Sequence, residues 1–257
     1  MARPASWSRR TAGKKMMPST AATAMSDDLP RPGKLDREPP RLHSAVQRLL
    51  HLLASEPRRR LVIGLVGLPG SGKSTLAQQL TQAVNLQAGP GSMLSLGMDG
   101  FHLTRAALAR FPDPAAALAR RGAPWTFDPQ ALATALQAVR DLPLARGPQE
   151  VCWPGFEHGV GDPVPDAVAV ASSVRLVMVE GLYLLHRADG WNLGGLLDEC
   201  WFLDVDTNTA LERLTARHMA AWGLTSAQAE ARVAANDRHN LEIVLQGRHR
   251  ADWLVTG

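Results

Sequence analysis

Residues Gly67-Leu68-Pro69-Gly70-Ser71-Gly72-Lys73-Ser74-Thr75 match the GxxxxGK[ST] pattern and lie between an apolar run and a helical one, the context that the pattern requires. Glycines at these spacings let consecutive backbone N–H groups turn inward around a phosphate chain, with the positive end of the following helix dipole aimed at the same charge. Gly67, Leu68, Pro69, Gly70, Ser71 and Gly72 would frame the loop, and Lys73 would reach the β- and γ-phosphates. Ser74 would place its hydroxyl on Mg²⁺, and Thr75 would support the first helical turn. Lys73 is the single lysine after residue 40 in an otherwise arginine-only domain, which suggests a position that wants a compact ammonium.

Two carboxylates follow apolar runs further along. Met93–Met98 leads into Asp99-Gly100-Phe101-His102, so Asp99 sits at the carboxyl end of a strand, the edge where open α/β sheets bind ligands. Phosphoryl transfer needs a base for the attacking hydroxyl or an acid that orders Mg²⁺, and Asp99 suits either role; a turn-forming Asp-Gly is the alternative. Leu176-Val177-Met178-Val179 ends in Glu180, the position from which an acid reaches Mg²⁺ directly or through water; a helix-starting glutamate is the alternative. Trp201–Val205 gives another buried strand, whose Asp206 and Thr207 look like helix caps.

Acceptor selection should come from the insertions between these strands. Arg120-Arg121 stands beside Trp125 and Phe127, and Trp153-Pro154-Gly155-Phe156-Glu157-His158 reads as a Pro/Gly-rich loop with more aromatics. Arg121 could hold an acidic substrate group, and Trp125, Phe127 or Phe156 a flat one, with Asp99 and His102 alongside; equally, the aromatics could pack the loop against the sheet.

The elements that must position these residues follow from periodicity. Leu42, Val46, Leu49, Leu50 and Leu53 repeat at helical spacing until Pro57. Leu61–Val66 reads as a buried parallel strand, followed by a helix from about Lys73 to Val84. Strand-like runs recur at 93–98, 167–171, 176–179 and 201–205, separated by helical stretches such as Pro129–Val139 and Thr207–Ala221, with a further helix over Ala227–Leu245. Strands alternating with helices imply a parallel sheet covered on both faces.

Composition bounds the rest. The 257 residues are 45% hydrophobic, enough for a sizeable core. Residues 1–40 lack periodicity and any acid before Asp27, and they predict a disordered basic tail ahead of one domain over residues 41–257. That tail holds eight Lys/Arg against four Asp/Glu, leaving 20 of each afterwards, so the net charge of +4 gives a nucleic-acid groove no support in the folded part. The apolar runs fall short of a membrane span. Cys152 and Cys200 make no disulfide framework; they read as packing residues of an intracellular, cytoplasmic chain.

There is no Asn-Lys-x-Asp guanine motif and no ABC-type signature, and the chain is too short for paired helicase lobes, which favours a small kinase. With the GLPGSGKST loop, the MDGFH strand end, RRGAPWTFD, VMVEG and WFLDVD in this order, roughly residues 45–250 resemble the P-loop kinase superfamily of uridine kinase, phosphoribulokinase and bacterial pantothenate kinase. RRGAPWTFD, WPGFEHGVGDPVPD and NDRHN look most similar to its nucleoside/nucleotide kinase-like subgroup.

The resemblance implies a three-layer α/β P-loop NTPase fold with a parallel sheet and a helical lid. It implies ATP and Mg²⁺ as cofactors, Asp99 as general base, Lys73 on the phosphates, and Ser74 with Glu180 at the metal. Arg213 and Arg217, four apart on one helix face, become lid arginines over the transferred phosphoryl group, and Asn240 becomes a nucleotide contact. The expected activity is transfer of the γ-phosphoryl group to a hydroxyl of a small metabolite: a nucleoside, a sugar or a pantothenate-like compound. The alternative is a regulatory nucleotide-binding P-loop NTPase with no small-molecule acceptor. No nucleic-acid or membrane partner is expected, and a homodimer is left open.

Overall fold

A computed structural model describes residues 40–145, 147–157 and 161–256. The expected tail lies outside the described residues except for Pro40, where the first helix begins. Along the chain run α1 (Pro40–Ser55), β1 (Leu61–Gly67), α2 (Lys73–Ala88) and β2 (Met93–Gly97), then a 3₁₀ turn over Met98–Phe101. Short helices α3 (Arg105–Leu108) and α4 (Pro114–Ala119) lead to α5 (Pro129–Asp141), β3 (Glu150–Glu157), β4 (Asp162–Ala171), β5 (Leu176–Gly181) and β6 (Glu199–Leu203). The chain ends with α6 (Thr207–Trp222), α7 (Ser226–Arg232), α8 (Arg238–Gly247) and β7 (Trp253–Val255).

The central sheet is parallel throughout, in the order β2-β5-β1-β6-β7. Every residue of β1 is buried, because the strand faces a layer on each side and alternates between them. Leu61, Ile63 and Leu65 pack with Leu42, Val46 and Leu49 of α1 and with Leu76 and Leu80 of α2. Val62 and Val66 pack on the opposite face with Leu132 and Leu136 of α5 and with Leu241 and Val244 of α8. The architecture is three-layer α/β, as expected.

Three differences stand out. The 167–171 run is not a strand of the parallel sheet: it belongs to β4, which pairs antiparallel with β3 in a separate hairpin. The Trp153–Glu157 stretch, expected as a loop, is the second half of β3, and the register shifts between Trp153 and Gly155 so that Pro154 is accommodated. The helix expected over 227–245 is interrupted by a π-turn at Val233–Asp237 between α7 and α8. His158 lies outside the described residues. Cys200 is buried, and burial pushes its thiol well above the ordinary range, whereas Cys152 is exposed on β3 and is not a core residue.

Among the described residues no helix is long and apolar enough to cross a membrane.

Candidate active site

The sheet order brings three strand ends together. In the register, Glu180 of β5 lies opposite Leu65 of β1 on one side and Gly97 of β2 on the other. The loop after β1, the carboxylate of β5 and Asp99, two residues beyond β2, therefore share one carboxyl edge.

The loop after β1 leads into an uncapped helix. Asp128 and Asp206 cap α5 and α6 through side-chain oxygens that accept from Ala131 N and Thr209 N, at 2.8 and 3.0 Å. Before α2 stands Gly72 in the left-handed region, φ 90°, with no side-chain cap. The first-turn donors of α2 are thus left for an anion. Gly70 is also left-handed, φ +81°, and a Cβ there would run into the carbonyl of Ala210, so only glycine lets the loop lie against α6. Ser71 is buried, and its hydroxyl has no protein partner.

Ser74 Oγ donates to Glu180 Oε1 at 2.9 Å, and Lys73 Nζ donates to Leu68 O at 3.3 Å. Burial pushes the Lys73 ammonium below the ordinary lysine range; Glu180 and Asp99 oppose that shift, and Arg217 adds to it. Burial also raises Glu180, with Asp99 adding to the rise, while Lys73, the Ser74 hydroxyl and Arg217 oppose it. These mutual influences gather Lys73, Asp99, Glu180 and Arg217 in one electrostatic site. Arg213 and Arg217 are both exposed on α6, whose Ala210 and Leu214 lie against Gly70.

A cavity of about 300 Å³ opens from this edge. Ser74, Asp99 and Glu180 bound one end, and Trp153, Phe156 and Val168 of the β3–β4 hairpin bound the other. The hairpin is fixed by Trp153, whose indole N–H donates to Gly97 O at 2.9 Å and whose ring meets Phe101 edge-on at 4.9 Å. Gly100 permits the approach: a Cβ there would collide with the carbonyl of Pro154. The His102 ring lies tilted against those of Phe127 and Phe156, centroids 3.9 and 4.7 Å away, and its Nδ1 bonds Asp99 O at 2.8 Å.

The remaining expected site residues lie elsewhere. Arg121 donates to Gly161 O, to Leu103 O at 2.9 Å and to Asp162 Oδ1 at 2.7 Å, and its guanidinium lies 5.6 Å from the Phe156 ring centroid. It is a brace between the hairpin and the α4–α5 connection. Trp125 is 40% exposed against Phe111, 5.9 Å away, and does not line the cavity. Asn240 is buried in α8 against Gly122, beside Asn236, and its Oδ1 is unpartnered. Sequence reasoning missed Ser95 and Val168 as lining residues. Ser95, the one hydroxyl in the apolar run 93–98, was the available signal; Val168 had none.

A phosphate loop, an acid at the neighbouring strand end and a helix over the loop define a P-loop kinase fold. Residues 62–254 match the model of the Phosphoribulokinase / Uridine kinase family, and the chain belongs to that family. It is 40% identical over 163 residues to the ATP-dependent kinase-like protein notR' of Aspergillus versicolor, covering 62% of this chain and 94% of that one. It is 34% identical over 212 residues to YggC of Escherichia coli (strain K12), an uncharacterized protein, covering 80% and 84%. Among solved structures, a Silicibacter sp. TM1040 protein, by name a fructose transport system kinase, superposes with a TM-score of 0.73 at 32% identity, over 83% of this chain and 98% of that one. YFH7 of Saccharomyces cerevisiae gives the same TM-score at 22% identity, over 84% and 98%, and shares the fold.

Proposed function

We propose that this chain is an ATP- and Mg²⁺-dependent kinase that moves the γ-phosphoryl group onto a hydroxyl of a small molecule held in the cavity beside Asp99. The observation that carries the reading is the continuity of that cavity with Ser74, Glu180 and Asp99. A phosphate site alone would serve a regulator equally well; a walled cavity with a carboxylate at its phosphate end suits an acceptor.

Ser74 and Glu180 fit Mg²⁺, because a hydroxyl and a carboxylate oxygen 2.9 Å apart are the hard donors that this ion takes alongside phosphate oxygens and water. Mg²⁺ would supply charge neutralisation of the phosphates. The uncapped N-terminus of α2 and Lys73 orient the phosphate chain. Asp99 accepts the acceptor's hydroxyl proton as its oxygen bonds to the γ-phosphorus and the bond to the bridging oxygen breaks, which leaves ADP. Arg217, and Arg213 one turn before it, offset charge on the transferred group from α6, which lies against the loop.

The test is acceptor-stimulated ADP release by the full chain over a panel of nucleosides, sugars and pantothenate. Stimulation by one class supports the reading. ADP release that no acceptor raises above background contradicts it and favours a nucleotide-binding regulator.

A further inference from the structure

We infer that the acceptor is electrically neutral: a hydroxyl compound with an apolar or flat face and no phosphate or carboxylate of its own. The inference rests on the kinase reading above and narrows it. The cavity's charged walls are both acids, Asp99 and Glu180, and among the described residues no Lys, Arg or His lines it. Lys73 and Arg217 act on these acids at the phosphate end but do not line the cavity, so an anionic group carried on the far side of an acceptor would meet no counter-charge.

Arg121 is a cation beside the aromatic wall, over the Phe156 ring, and the contacts that hold it explain why it does not serve. Its Nη2 is held by Leu103 O and by the carboxylate of Asp162, its Nη1 by Gly161 O, and its face by the Phe156 ring. The ion pair is largely screened from solvent, with side-chain exposures of 14% for Arg121 and 30% for Asp162, so turning the guanidinium into the cavity would break the pair and leave the Arg105 N–H, 2.9 Å from Asp162 Oδ1, to meet the carboxylate. Phe156 stands between Arg121 and the ligand space, presenting an apolar surface where an anion-binding pocket would present the fork. Trp153 and Val168 extend that surface. The Arg121–Asp162 pair is thus a specificity-determining element: it removes a cation from the acceptor site.

The experiment compares matched acceptors that differ by one anionic group and keep every hydroxyl free: uridine and orotidine, gluconamide and gluconate, pantothenamide and pantothenate. ADP release by the full chain is read for each pair, in the native protein and in Asp162→Asn, whose folding is checked by circular dichroism. The neutral member should exceed its partner in kcat/KM by at least about tenfold, the scale of one like-charge contact in a partly shielded site. In Asp162→Asn that preference should fall at least about threefold, because the charge that neutralises Arg121 is removed and its field reaches the cavity past Phe156. An anionic member used as well as, or better than, its neutral partner overturns the inference while leaving the kinase reading standing. A preference unchanged in Asp162→Asn overturns the role given to the ion pair. No stimulation by any member overturns both the inference and the kinase reading beneath it.

Discussion

Ser74 Oγ and Glu180 Oε1, 106 residues apart in sequence, share a hydrogen bond of 2.9 Å that ties the first turn of α2 to the end of β5. In the kinase account both oxygens turn to Mg²⁺ when nucleotide enters. Ser74→Ala and Glu180→Gln should each raise the Mg²⁺ concentration for half-maximal activity about tenfold or more, and the double variant should cost less than the product of the two, because one ion links them. Magnesium titration of ADP release checks this; independent, multiplicative effects would count against a shared ion.

The pH profile of kcat/KM should be narrower than ordinary side chains would give, since that parameter reports the free enzyme. Lys73 must be protonated to hold phosphate, and its lowered pKa brings the alkaline fall below the ordinary lysine range. Glu180 must be ionised to hold the metal, and its raised pKa brings the acid fall above the ordinary carboxylate range. In Glu180→Gln the acid limb of the residual activity should move to lower pH, and steady-state rates across pH decide it.

Gly100→Ala should loosen the hairpin, because the added methyl meets the Pro154 carbonyl and has nowhere to go. A destabilisation of about 2 kcal/mol, the scale of an overpacked site, should appear in thermal denaturation. The acceptor KM should rise more than the ATP KM, since Pro154 and Phe156 line the acceptor cavity and the phosphate loop is untouched.

Arg60 is 4% exposed and donates to the carbonyls of Val139, Leu142, Ser172 and Val174, joining the end of α5 to the turn after β4. It has no carboxylate among these partners; carbonyls at a helix C-terminus meet its charge instead. Arg60→Met should cost about 3 kcal/mol or more in chemical denaturation, because several buried carbonyls lose their donor together. Activity per folded molecule should be unchanged.

The parts of the site that were legible in the sequence are those written locally. The phosphate loop, Asp99 and Glu180 each follow an apolar run, and strand-then-charge is a pattern that spacing alone displays. The acceptor side was not legible, because its elements depend on distant partners. Pro154-Gly155 imitates a loop and becomes a strand only by pairing with β4. Arg121 looks like a substrate cation until Asp162, 41 residues later, is placed on it. Arg60 is indistinguishable in sequence from its neighbours Arg58 and Arg59, of which Arg58 is exposed and Arg59 pairs with Asp198 near the surface. β7 is three residues long and forms only because the edge of β6 is there to receive it.

The central claim is that Asp99 takes the acceptor's proton. The direct measurement is ADP release by Asp99→Asn with and without acceptor, alongside ATP affinity by equilibrium binding. The account predicts a loss of about 100-fold or more in acceptor-stimulated kcat, within the range for removing a general base, with ATP affinity close to that of the native protein. Acceptor-stimulated turnover that survives in Asp99→Asn would contradict it.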